Sequence, residues 1–351
     1  MSRISAVILK SIIVAVGTAV IVLFAGVMTP SSGAWAVGRQ QDKTATQKPG
    51  KPVGPDDAPT QNKDESKIRL TADLVMLDVT VTDATVNKPV LDLKEDQFQI
   101  FEDKLPQRIE VFSRDQIPAS LVFAIDTSGS MKTKLDTVIA ASVNLVKDGR
   151  PGDEMAVIEF KDEAELLSEF TEDATEVTDT LQALTARGRT ALLDAVYLAA
   201  EYAHTEARNR RRAVVLVTDG VDKNSYYKFE QVVNRLRETD VQIYLIGFTK
   251  DLQNDGAWVF KKSEKDKAEG LLSRLAAETG GRAFFPKELA EVHAIAQQIS
   301  TDLRTQYSIG YYPANSKRDG TFRAISVQVN ATGNRRLVAH TRPGYTAPRG
   351  E

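Results

Sequence analysis

Leu121-Val122-Phe123-Ala124-Ile125-Asp126-Thr127-Ser128-Gly129-Ser130 is the stretch on which the fold turns. Five apolar residues without a polar break suit a strand covered on both faces by helices. The run then ends in a carboxylate, two hydroxyls at alternate positions and a glycine. A helical stripe follows directly, in Leu135, Val138, Ile139, Ser142, Val143 and Val146. Downstream the pattern repeats, with apolar runs at 155–160, 213–217 and 241–248 and a second stripe in Leu192, Val196, Ala199 and Ala203. Apolar strands alternating with helical segments predict an α/β unit over 118–304, a doubly wound, mostly parallel sheet of Rossmann-like layout.

The flanks read differently. Between 68 and 117, Val75, Leu77, Val79 and Val81 alternate with Met76, Asp78, Thr80 and Thr82, which predicts a strand with one buried face. Two shorter runs, 97–102 and 108–112, are separated by the turn-rich Asp103-Lys104-Leu105-Pro106. Alternation returns over 305–351, at 307–312, 322–330 and 336–341. Each flank has only ~40 to 50 residues, at the margin of what folds alone without disulfide or metal. The expectation is therefore one small all-β sandwich formed by both segments, with the α/β unit inserted between them and its entry and exit close together.

Residues 1–36 read as an export or anchoring segment: Arg3 and Lys10 precede an apolar run at 11–28, and no charge occurs between Lys10 and Arg39. Ala34-Trp35-Ala36 has the small-x-small pattern of a cleavage site. The run also reaches the lower edge of the ~17 to 25 residues that span a bilayer, so cleavage after Ala36 and retention as a membrane anchor both stand. Either fate places the rest of the chain in the periplasm, the cell envelope or the medium. Residues 37–67 carry Pro49, Pro52, Pro55 and Pro59 among polar residues and read as a disordered linker.

Composition narrows the chemistry. The 351 residues contain no cysteine, which excludes disulfides, thiolate metal sites and cysteine nucleophiles. Only His204, His293 and His340 occur, with no spacing of metal ligands or of a Ser/His/Asp triad. With 45 Lys+Arg against 48 Asp+Glu, the chain has no global field to draw nucleic acid. The cluster Arg208, Arg210, Arg211 and Arg212 reads as a solvated loop before a strand.

In an open α/β sheet the binding crevice lies at the carboxyl ends of the strands. Asp126, Ser128 and Ser130 sit at such an end; Thr190 before a helix and Asp219 after a strand come to the same edge if the topology holds. Five oxygen donors make an octahedral set lacking one ligand, which fits Mg2+, with Mn2+ or Ca2+ as alternatives.

These residues resemble a von Willebrand factor type A domain with a metal-ion-dependent adhesion site (MIDAS): Asp126, Ser128 and Ser130 match DxSxS, Thr190 the threonine and Asp219 the last aspartate. The resemblance implies coordination by Ser128, Ser130 and Thr190, with Asp126 and Asp219 acting through water. It also implies a partner protein whose Asp or Glu takes the sixth position, and a last helix, roughly 288–303, that shifts on binding. The flanks, including Val79-Thr80-Val81-Thr82-Asp83, Phe101-Glu102-Asp103 and Arg342-Pro343-Gly344-Tyr345, are similar to the acidobacterial VWFA-related family.

Other readings are weaker. Asp194 and Asp222 read as structural, the first favoured by a helix dipole. An aspartic protease would need glycine where Ser128 stands, and neither GxxxxGK[ST] nor GxSxG occurs, so no enzymatic turnover is expected. The alternative to adhesion is a structural scaffold in an envelope assembly with no metal-dependent binding.

Overall fold

A computed structural model describes residues 73–86, 88–250, 252, 263–331 and 335–350. The expected anchor at 1–36 and linker at 37–67 lie outside the described residues. Among the described residues no helix is long and apolar enough to cross a membrane.

The α/β unit is built on β6 (Ala119–Asp126), β7 (Glu154–Phe160), β8 (Ala164–Thr171), β9 (Arg211–Thr218), β10 (Val241–Gly247) and β11 (Ala283–Phe284), in the order β11-β10-β9-β6-β7-β8. All neighbours are parallel except β7 and β8. Its helices are α1 (Leu135–Lys147), α2 (Ala174–Gln182), α3 (Leu192–Glu206), α4 (Phe229–Leu236), α5 (Glu264–Ala277) and α6 (Glu291–Arg304). The two-residue period of β6 sorts the faces. Leu121, Phe123 and Ile125 join the core under α1, α2 and α6, while α3 packs on the other side of β6 and β9. Every residue of β6 and of β10 is buried, as continuous apolar runs in a doubly covered sheet require.

The sequence does not predict β8. Its alternating burial and its glutamates Glu165 and Glu169 break the continuous apolar pattern, because it is an antiparallel edge strand with one wet face.

Two antiparallel sheets flank this unit, and both mix the two ends of the chain. In the first, β1 (Val75–Asp83) lies between β12 (Tyr307–Tyr311) and β14 (Leu337–His340), with β5 (Val111–Ser113) beyond β12 and β2 (Lys88–Pro89) also on β1. In the second, β13 (Phe322–Val329) lies between β15 (Gly344–Thr346) and β3 (Phe98–Glu102), with β4 (Leu105–Gln107) outside β3. Neither segment could complete a sheet alone. Ser113 pairs with Ser308, so the strand that leads into the α/β unit lies beside the strand that leaves it. Leu77, Val79, Phe98, Ile100, Tyr307 and Ile309 form the shared core. Inside it Glu102, 2% exposed, accepts hydrogen bonds from the Tyr311 hydroxyl at 2.8 Å and the Tyr345 hydroxyl at 3.1 Å.

Four local expectations are corrected. Leu105-Pro106 is not part of a break: Asp103 and Lys104, with φ 48° and 70°, complete the turn, and Leu105 begins β4. The strand expected at 108–112 is confined to Val111–Ser113. In β1 the second half of the polar side is buried too, Thr80 near Gln306 and Thr82 hydrogen-bonded to His340, while Asp78 stays partly exposed. The arginine cluster is a solvated loop only in part: Arg208 and Arg210 are exposed before β9, while Arg211 and Arg212 lie in the strand. Arg211 is 1% exposed and donates to the Leu303 carbonyl at 3.0 Å; Arg210 bonds Asp78 at 3.0 Å and the Ser308 hydroxyl at 2.7 Å. These side chains stitch the amino end of β9 to the sandwich.

The junction has a pH signature. Burial, aided by the nearby Arg282 charge, pushes His340 down to about 4 from 6.5. The neutral ring is favoured in the folded state, so its contribution is complete above pH 6.5 and is lost as pH falls toward 4. Allowing for partial exposure, His340→Gln should remove about 1–2 kcal/mol of the fall in unfolding free energy between pH 7 and pH 4.5. Urea unfolding of both proteins at the two pH values measures it; parallel pH profiles would refute the assignment.

Candidate metal centre

β6 ends at Asp126, whose side chain is fully buried at the carboxyl edge of the sheet. Both of its oxygens are held by neutral donors. Oδ1 accepts the Ser128 N–H at 2.9 Å and Oδ2 accepts the Thr218 hydroxyl at 2.7 Å. Ser128 keeps extended backbone, then Gly129–Met131 forms one 3-10 turn with Met131 buried beneath it. This turn leaves the Ser128 and Ser130 hydroxyls 3.1 Å apart, Ser128 buried and Ser130 exposed.

The second loop is fastened to the first by backbone bonds. Arg187 N–H donates to the Thr127 carbonyl at 2.6 Å, and Gly129 N–H to the Gly188 carbonyl at 3.1 Å. Thr190 follows, fully buried, and its Oγ1 has no hydrogen-bond partner. A buried hydroxyl without a partner is costly unless a ligand meets it. The third loop starts at Asp219, 5% exposed, immediately after Thr218. It returns to the second through the N–H groups of Lys223 and Asn224, which donate to the Thr190 carbonyl at 2.9 and 3.1 Å.

Burial pushes the Asp126 carboxyl up to about 6; the Thr218 and Ser128 bonds pull it down, and the like charge of Asp219 pushes it up again. A buried carboxylate whose ionisation is made costlier by burial and by the Asp219 charge, next to an unpartnered hydroxyl, belongs to a donor set suited to a hard divalent cation. Among the described residues no three His, Asp or Glu side chains cluster so as to hold a metal ion. A cation here would draw on the hydroxyls of Ser128, Ser130 and Thr190, with Asp126 and Asp219 behind them.

Sequence reasoning overlooked Thr218, the residue that positions Asp126; its place just before Asp219 was the available signal. Asp194 and Asp222 both make structural hydrogen bonds. Asp194 accepts the Tyr226 and Tyr227 N–H groups at 3.0 Å, and Asp222 accepts the Leu192 N–H at 3.0 Å at the start of α3. Together they pin the third loop to the helix that begins beside Thr190.

Gly188 is fixed by geometry. Its φ is +78°, and a Cβ would lie 2.4 Å from Asp162 Oδ2. Gly188→Ala should therefore lower the unfolding free energy by about 1–2 kcal/mol, measurable by thermal or urea unfolding. An unchanged midpoint would contradict this.

The von Willebrand factor type A domain model matches residues 120–298, from β6 into α6. No curated protein matches the chain. Among solved structures, an aerotolerance-related membrane protein from Bacteroides fragilis is 19% identical with a TM-score of 0.43, covering 53% of this chain and 98% of its own. A von Willebrand factor type A protein from Catenulispora acidiphila is 11% identical with a TM-score of 0.46, covering 78% of this chain and 74% of its own. The vWF domain of the type V pili tip protein Mfa5 from Porphyromonas gingivalis is 15% identical with a TM-score of 0.42, covering 54% and 97%. The matched segment takes in about half of the chain, and the chain belongs to the von Willebrand factor type A domain family.

Proposed function

We propose that this chain is an exported, non-catalytic binding protein that engages an Asp or Glu of a partner protein through a divalent cation. The observation that carries the reading is the fully buried Thr190 Oγ1, which has no hydrogen-bond partner and stands on a loop bonded to the Ser128–Ser130 turn. A bound Mg2+ would supply an electrophilic position open to one carboxylate oxygen. Ser128, Ser130 and Thr190 contribute neutral hydroxyls, so the charge of the ion is not quenched by the atoms nearest it. Asp126 and Asp219 supply the compensating negative charge, and Thr218 holds Asp126 in place. Among the described residues, the hydrogen bonds of the site's hydroxyls and carboxylates run to one another, to Thr218 and to backbone groups and not to an imidazole or amine, which supports binding without turnover. The apolar run at 11–28 supports export, and the flanking motifs support membership of the acidobacterial VWFA-related family.

Crystals soaked in Mn2+ test the reading. One anomalous peak among Ser128 Oγ, Ser130 Oγ and Thr190 Oγ1 is expected; its absence would favour the scaffold role.

A further inference from the structure

Each loop of the candidate metal centre carries an exposed basic residue close to a proposed donor. Lys132 stands two residues after Ser130, Arg187 and Arg189 bracket Gly188 just before Thr190, and Lys223 lies four residues after Asp219. The loops are drawn together by the bonds from Arg187 N–H to Thr127, Gly129 N–H to Gly188 and Lys223 N–H to Thr190. The loops that carry the four bases are therefore bonded to one another, although the sequence separates Lys132 from Lys223 by 91 positions.

These side chains stand out within their own protein. Arg208, Arg235, Arg237, Arg274, Arg282 and Arg335 each hold a carboxylate at 3.0 Å or less. Among the described residues, Lys132, Arg187, Arg189 and Lys223 make no ion pair. Among the described residues, the acids on these loops besides Asp126 and Asp219 are Asp162 and Glu163, on the turn between β7 and β8, and Asp222, beside Lys223; the Asp162 Oδ1 already accepts the Arg189 N–H at 3.1 Å and the Asp222 Oδ1 the Leu192 N–H at 3.0 Å. Asp126 and Asp219 would balance a divalent ion, so among the described residues of these loops four bases stand against Asp162, Glu163 and Asp222, an excess of one positive charge. The chain as a whole carries −3, which makes the collar a local feature rather than part of a basic surface.

We infer that the partner presents an acidic segment, several carboxylates in sequence, rather than one isolated Asp or Glu. This rests on the metal-dependent reading above and specifies its ligand: one carboxylate meets the ion, and its neighbours meet Arg187, Arg189, Lys132 and Lys223. Arginine forks suit carboxylates bidentately, and an unscreened basic rim also speeds encounter with an acidic chain. Such exposed pairs weaken with salt, since the screening length shrinks from ~10 Å at 0.1 M to ~3 Å at 1 M.

The test uses the full chain and two labelled peptides of equal length, one with a single Asp among Gly and Ser, the other with the same Asp flanked by four Glu. Fluorescence anisotropy is read in Mg2+ at low and high salt. The inference expects the acid-rich peptide to bind about tenfold more tightly at ~50 mM salt, the gap closing toward ~500 mM. Arg187→Glu/Arg189→Glu, both at exposed positions, should erase the gap at low salt. Equal affinities in the natural protein, or a gap that survives the double variant, would overturn the inference. The metal is tested separately within the same experiment. If the acid-rich peptide still wins by tenfold in chelator and in Asp126→Asn, the collar stands and the metal-dependent reading falls. Polyphosphate displacing the acid-rich peptide at equal charge concentration would overturn the acidic-segment assignment in favour of a general anion surface. No binding of either peptide up to about 1 mM would count against both readings.

Discussion

Asp302→Ala should lower the unfolding free energy by about 3–5 kcal/mol, the largest single-residue effect expected outside the apolar core. Asp302 is fully buried near the carboxyl end of α6 and accepts from Arg282 Nη1 at 2.6 Å; Arg282 is 9% exposed and lies over the Phe284 ring. Removing the acid leaves a guanidinium buried without its carboxylate. Burial, acting against the Arg282 charge, nonetheless holds the Asp302 carboxyl above its ordinary range. The pair is thus costly to bury and more costly to break, so Arg282→Met/Asp302→Leu should recover most of the loss. Guanidinium unfolding of the three proteins measures both effects; a loss below about 1 kcal/mol for Asp302→Ala would contradict the account. The site matters because α6 runs on into β12. Arg304 meets Asp153 at 2.7 Å, and Arg211 donates to Leu303, so the same end of the helix is fastened at three points.

Asp126→Asn should change two quantities in opposite directions. Mg2+ affinity should fall by about 10–100-fold, the usual loss when a group that orients the metal shell is altered. The metal-free protein should become more stable, by about 1–3 kcal/mol, because the amide removes a buried charge set against Asp219. The hydrogen bonds can persist: the amide oxygen still accepts the Ser128 N–H, and the Thr218 hydroxyl can turn to accept from the amide nitrogen. Denaturation in chelator, with and without Mg2+ restored, reads both. A variant less stable in chelator would show that Asp126 serves the fold rather than a cation.

The strands and turns that build the candidate centre were legible because each is local. A five-residue apolar run names β6, and Asp126-Thr127-Ser128-Gly129-Ser130 names its turn. What escaped the sequence is set by partners far along the chain. Arg210 looks like a surface charge until Asp78, 132 residues away, is brought to it. Strand β8 hides because an edge strand alternates with glutamate, and Thr218 because its hydroxyl acquires a role only when β9 lies beside β6. The basic collar is invisible in a net charge of −3 for the same reason: the loops carrying Lys132, Arg187, Arg189 and Lys223 are joined only through backbone bonds between residues far apart in sequence. Pairing of the two flanks into shared sheets could be argued from size alone, but its registers, such as Val75 opposite Tyr311 and Ile100 opposite Val327, could not.

Calorimetric titration of Mg2+ into the full chain, beside Thr190→Val, asks whether the unpartnered hydroxyl holds a cation. Valine matches threonine in shape and removes only the unpartnered hydroxyl. Saturable one-site binding is expected, lost or weakened at least about tenfold in the variant. No saturable heat from the natural protein up to about 10 mM, or identical isotherms for both proteins, would contradict it.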